Sequence, residues 1–224
     1  MSRKDLLRGS TVAVTPGLTD SWSKEKAAEL EENLQAVKSL IEKPELTMSE
    51  VKWADGLLSQ VRQQLPDNAD VFKLAGVLAH RVGDNVAAER HLRKACTLSP
   101  DDAENHTNLA IALRAQKKLD AAFEVLETAR EKEPLSPIIH RNLGNLFCDQ
   151  GAFERANSCF KRALQIRPKS RDTWSNYSYA LARARRLSDA IQAVHEAADH
   201  GFEREAMLVA VGQWLLAHEK GTEA

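Results

Sequence analysis

The sequence predicts an all-α fold, a solenoid of antiparallel helical hairpins, on three observations. Pro66, Pro100, Pro134 and Pro168 return every thirty-four residues. Ala88, Ala122, Ala156 and Ala190 keep the same interval, and so do Ala95, Ala129, Ala163 and Ala197. Between these landmarks apolar residues recur at helical spacing, with no alternating run of the kind a strand needs. A fixed period in this range marks a repeat architecture, in which each unit packs on its neighbours and not into one central core.

The elements follow in order. Residues 1–22 combine Gly9, Ser10, Pro16, Gly17 and Asp20 without sustained periodicity and are expected to form a flexible N-terminal arm. Residues 23–68 are expected to form a helical pair. Ala27, Leu30, Leu34, Val37 and Ile41 make one apolar face, and Pro44 ends that helix. Thr47 and Glu50 then have the spacing of a capping box, and Val51, Ala54, Leu58 and Val61 continue a second helix to about Leu65. From 69 to 204 the chain divides into four equal units, each a helix of about fourteen residues, a tight turn, a second helix and a proline-bearing link. The turns fall at Gly83-Asp84, Lys117-Lys118, Gly151 and Arg185-Arg186. Links this short force neighbouring helices to run antiparallel. Phe202 stands where a fifth proline would fall, and residues 205–224 are expected to form a C-terminal capping helix and tail.

Composition sets limits. The hydrophobic share of 43% suffices for a core, and the charged share of 28% gives a hydrophilic surface. A formal net charge of −1 provides no global attraction to nucleic acid or acidic membranes. No stretch reaches the eighteen or so apolar residues of a membrane span. Cys96, Cys148 and Cys159 are odd in number and lack CxxC spacing, so they read as reduced core thiols of a cytoplasmic protein.

The units carry a family resemblance. The tetratricopeptide repeat signature places an aromatic residue, Leu-Gly, Tyr, Ala, Phe and Pro at fixed offsets over thirty-four residues. Residues 137–170 resemble it through His140, Leu143-Gly144, Phe147, Ala156, Phe160, Ala163 and Pro168. The unit at 69–102 supplies Phe72, Ala75-Gly76, Ala88, Leu92, Ala95 and Pro100, and that at 103–136 supplies His106, Leu109-Ala110, Leu113, Ala122, Leu126, Ala129 and Pro134. The unit at 171–204 opens with Trp174, Tyr177 and Leu181 and lacks the proline. The segment 47–65 looks like the second half of a degenerate repeat. The resemblance implies a right-handed superhelical solenoid that works as a non-catalytic adaptor, with the first helices of its hairpins lining a concave groove for an extended peptide or a partner helix.

Projected onto that pattern, Asn108, Asn142 and Asn176 share one position, thirty-four residues apart. A ladder of amides at the repeat pitch matches the donors and acceptors of an extended backbone. The ladder is similar to the asparagine arrays of peptide-binding members such as the repeats of O-GlcNAc transferase. Asparagines in that position could instead tie down neighbouring backbone. Lys73, Arg81, Arg114, Arg141, Asn145, Tyr179 and Arg183 join the candidate groove, against Asp70, Glu104, Asp149 and Asp172. Arg141, Asn145 and Asn176 match part of the clamp with which co-chaperone members hold a terminal carboxylate, but Ala206 and Ala210 stand where its other basic residues belong.

The last segment, Ala206 to Ala217, is apolar nearly all round. A terminal repeat needs a polar outer face, so Val209, Trp214 and Leu216 have three destinations: the floor of one end of the groove, a second copy of the chain, or burial beneath residues 1–22. Packing on a second copy would make a self-assembling homo-oligomer, resembling family members that coat bacterial organelles. A further alternative is the targeting subunit of a separately encoded enzyme. The expected partner is a protein or peptide, with no cofactor, metal, nucleic acid or direct membrane insertion. His195 and His200 superficially resemble a zinc-binding pair, but five residues on a helix turn them roughly 140° apart. The Arg183-Ala-Arg-Arg186 cluster has no interleaved aromatics and reads as a solvated turn.

Overall fold

A computed structural model describes residues 21–203. In that span the chain forms ten α-helices: α1 Ser21–Ile41, α2 Met48–Gln64, α3 Ala69–Arg81, α4 Asn85–Leu98, α5 Ala103–Ala115, α6 Leu119–Lys132, α7 Pro137–Asp149, α8 Phe153–Ile166, α9 Arg171–Arg183 and α10 Leu187–Asp199. The first helix begins two residues before the expected Ser23. Nearly all of the predicted arm and all of the predicted C-terminal helix lie outside the described residues.

Local chemistry explains where each helix starts. The Thr47 hydroxyl accepts from the Glu50 amide while the Glu50 carboxylate accepts from the Thr47 amide, so both halves of the capping box are formed. Asn68, Asp84 and Asp102 cap α3, α4 and α5 through side-chain oxygens, and Pro137 occupies the first turn of α7, where its missing N–H costs nothing.

The hairpin turns are one device used four times. Gly83, Lys117, Gly151 and Arg185 all take positive φ, at 86°, 63°, 74° and 61°. In each case the next residue's amide donates five residues back, from Asp84 to Ala79, Lys118 to Leu113, Ala152 to Phe147 and Arg186 to Leu181, at 2.8–3.0 Å. This is the Schellman closure that satisfies orphan carbonyls at a helix end. Glycine takes the left-handed conformation without steric cost; Lys117 and Arg185 do not.

Packing vindicates the alanine beat. Ala88, Ala122, Ala156 and Ala190, and Ala95, Ala129, Ala163 and Ala197, are all fully buried. Within a hairpin the helices approach as closely as side chains allow. A Cβ added to Gly144 would lie 2.7 Å from Cε1 of the fully buried Phe160 ring. The buried apolar residues form two clusters. One joins α1, α2 and α3 through residues such as Val37, Leu58 and Val71, and the other runs from Ala88 on α4 to Ala197 on α10. On α1, Leu40 is buried and the expected Ile41 only half-buried.

The proline links have a second role. Proline lacks an N–H, yet its carbonyl still needs a donor. Trp174 Nε1 donates to the Pro168 carbonyl at 2.8 Å, and His140 Nε2 lies 2.9 Å from the Pro134 carbonyl, so that bond holds the Nε2 proton. In these two units the aromatic position therefore pins the hairpin to the link before it. His106, at the same position, bonds instead to the Asp102 carbonyl at 3.0 Å.

Candidate functional site

The curvature follows from which helices touch. Among the described elements the backbones of α3 and α5, of α5 and α7, and of α7 and α9 approach closely, whereas those of the second helices α4, α6, α8 and α10 do not approach one another. A stack that is tight along one edge and splayed along the other is concave on the tight side. The first helices line that concave face.

Asn108, Asn142 and Asn176 each stand sixth in their helix, on α5, α7 and α9. Asn142 is buried and the other two are half-buried. None of the three amides, nor that of Asn145, makes a hydrogen bond with the described residues. The asparagines that do tie down backbone lie elsewhere: Asn68 caps α3 and Asn105 donates to the Ala95 carbonyl. The ladder is thus not a set of backbone clips.

Charges on the concave face are mostly neutralised by the protein itself. Lys73 Nζ sits 3.2 Å from Asp70, 3.4 Å from Asp102 and 3.0 Å from Glu104. Burial opposes its charge, but these carboxylates, Glu104 foremost, outweigh that and hold its pKa above the usual lysine range. Arg141 reaches Asp172 at 3.1 Å, the same thirty-one-residue step that joins Lys73 to Glu104. Arg81 donates to the carbonyls of Ile41 and Pro44, which fastens the α1–α2 turn to α3. Lys73, Arg81 and Arg141 are therefore engaged in holding successive elements together.

Six of the predicted groove residues meet in one cleft, with Cys148 beside them. Arg114, Asn145, Cys148, Asp149, Asn176, Tyr179 and Arg183 line a cavity of about 280 Å³ between α5, α7 and α9. Arg114 reaches Asp149 at 3.2 Å. Arg183 has no carboxylate within ion-pair distance among the described residues; its guanidinium carbon lies 5.6 Å from the Phe153 ring centre and 5.9 Å from that of Tyr179. Cys148 belongs to the cleft as well as to the core, which sequence reasoning missed. It follows Asn145 by three residues, so helical periodicity carries the signal. Burial pushes its thiol up to about 11, which keeps it protonated and unreactive at neutral pH.

A larger cleft of about 480 Å³ opens between α8, α9 and α10, floored by Trp174, Tyr177 and Leu164. His200 stacks on Trp174 at 5.8 Å. Val209, Trp214 and Leu216 lie outside the described residues. Among the described residues no helix is long and apolar enough to cross a membrane.

Two tetratricopeptide repeat family models match residues 79–146 and 145–204. The chain is 29% identical over 116 residues to protein FlbA of Caulobacter vibrioides, covering 52% of this chain and 20% of that protein. It is 32% identical over 74 residues to the peroxisomal targeting signal receptor of Saccharomyces cerevisiae, covering 33% of this chain and 12% of the receptor. It thus spans a fifth or less of the length of these curated relatives. The crystal structure of TTC0263, a tetratricopeptide repeat protein of Thermus thermophilus, superposes with a TM-score of 0.69 at 17% identity, over 84% of this chain and 99% of that one. With the repeat signature in sequence, the stacked hairpins in structure and the matching family models, this chain belongs to the tetratricopeptide repeat family.

Proposed function

We propose that the chain is a non-catalytic protein-interaction scaffold whose concave face holds an extended segment of a partner protein. One observation carries the reading. Asn108, Asn142 and Asn176 recur at the same place on three successive first helices, on the concave side, and none spends its amide on the backbone of the described residues. Buried polar groups are normally hydrogen-bonded, so amides left open at the pitch of the repeat suit a ligand backbone that offers partners at regular intervals. Each bond formed contributes a net of about 0.5–1.5 kcal/mol, which makes binding modest and tolerant of sequence. A related protein's name, peroxisomal targeting signal receptor, fits recognition of a short segment. The test is affinity capture from lysate with the wild type and with Asn108→Ala/Asn142→Ala/Asn176→Ala. The variant should lose its partners while its helical circular dichroism stays unchanged. Equal capture by a folded triple variant would remove the ladder from the mechanism.

A further inference from the structure

The concave face also specifies a chemistry for the bound segment. Of the groove cations, Lys73 faces three carboxylates, Arg141 faces Asp172 and Arg114 faces Asp149. Arg183 faces none among the described residues, although it is half-buried in the cleft between α5, α7 and α9. Among the described lining residues two guanidiniums therefore share one carboxylate, Asp149, a net positive charge. The neighbouring Asn145 and Asn176 make no hydrogen bond with the described residues, and the protonated Cys148 thiol adds no competing negative charge. The Arg183 guanidinium carbon lies 5.6 Å from the Phe153 ring centre and 5.9 Å from that of Tyr179, and a guanidinium offers five N–H donors to an acceptor. A volume of about 280 Å³ admits one side chain and a few waters, at roughly 30 Å³ for each water.

We propose that this cleft receives an acidic side chain, Asp or Glu, of the bound segment. Arg183 is its charge partner, and Asn145 and Asn176 donate from their amides. The inference rests on the reading of the groove as a peptide site and adds the residue type the site selects. It places recognition at Arg183, near the end of α9, and does not use the Arg141-centred clamp, whose guanidinium is already paired with Asp172. Charge-assisted bonds contribute about 1.5–3 kcal/mol where neutral ones contribute about 1. An acidic side chain should therefore be preferred over its amide analogue by about tenfold or more.

The experiment is a nuclear magnetic resonance titration of the full chain with N-acetylglutamate N-methylamide and, separately, with the glutamine analogue. The glutamate compound should shift the side-chain resonances of Arg183, Asn145 and Asn176 together, with an apparent affinity about tenfold above the glutamine compound. Arg183→Gln should abolish that preference, Arg183→Lys should retain part of it, and Arg167→Gln, which removes the same charge at an exposed site outside the cleft, should leave it intact. No shift at these three residues, equal shifts with both compounds, or a preference that survives in a folded Arg183→Gln would overturn the proposal. The asparagine triple variant reads the parent proposal separately. Loss of capture in that variant, with no glutamate preference at Arg183, leaves the groove reading standing and removes only the acidic side chain.

Discussion

At the α3 end of the concave face Lys73 is enclosed by Asp70, Asp102 and Glu104, whereas at the α9 end Arg183 lies near two aromatic rings with no carboxylate within ion-pair distance among the described residues. The two residues belong to the same kind of helix and face the same side of the solenoid. The difference lies in what the following hairpin supplies. Asp102 and Glu104 come from the start of the next unit and lock Lys73 across the joint, while Arg183 belongs to the last hairpin described. One end of the face uses its charge to hold repeats together, whereas at the other Arg183 has no carboxylate within ion-pair distance among the described residues.

The largest expected effect breaks this contrast directly. Lys73→Met leaves three carboxylates crowded around an uncharged side chain, and should destabilise the fold by about 1–2 kcal/mol, since removing one partner leaves the other desolvated and unpaired. Arg183→Met removes only ring contacts of about 0.5 kcal/mol, partly replaced by methionine packing. Thermal or urea unfolding of the two variants checks it. Equal losses would mean that both ends are structural.

Much of this fold was legible in the sequence. Period alone located Pro66, Pro100, Pro134 and Pro168 in the links and the eight alanines in the core, because helix packing admits only small residues where two backbones approach. The shared helix position of Asn108, Asn142 and Asn176 was legible for the same reason, since a repeat register carries polar positions as faithfully as apolar ones. Pairing was not. That Lys73 is spent, and that Arg183 is unpaired among the described residues, depends on distances between side chains and not on sequence register, and the near balance of signs along the groove concealed it. Cys148 was read as a core thiol. It is that, but helical geometry also turns it to the floor of the cleft beside Asn145.

Acid should weaken one joint and spare another. Glu89 on α4 accepts from Lys118 at 2.6 Å, from Arg93 at 2.9 Å and from Gln116 at 2.9 Å, which ties α4 to the turn after α5. The Lys118 bond foremost, against the opposing effect of burial and with help from Arg93 and Gln116, draws its pKa down to about 2. A depressed carboxylate stabilises the fold above its unfolded pKa of about 4.3 and loses that contribution as pH falls towards 2. The melting temperature of the wild type should therefore fall through this window, and Glu89→Gln should start lower and fall less. At the other end Glu154, 81% exposed, meets Arg186 at 3.1 Å, a solvated pair of little worth. Glu154→Gln should reproduce the wild-type acid profile. Indistinguishable profiles for the two variants would show that the Glu89 joint contributes nothing special.

The smallest effect asks whether the ends differ in backbone as well as in charge. Lys117 and Arg185 occupy the left-handed turn position that Gly83 and Gly151 fill in the other hairpins. A side chain there costs roughly 1–2 kcal/mol of steric strain, and glycine removes it while adding about 0.5–1 kcal/mol of unfolded-chain entropy. Lys117→Gly and Arg185→Gly should each stabilise the fold by about 0.5 kcal/mol, read as a rise in denaturation midpoint at constant slope. Lys117 lies in the middle of the stack and Arg185 in the last hairpin described. Equal gains would place the difference between the ends in their side-chain charges alone. A gain at Lys117 without one at Arg185 would mean that the guanidinium-rich turn after α9 holds its conformation by interactions a glycine cannot supply, which would extend the open cleft into that turn.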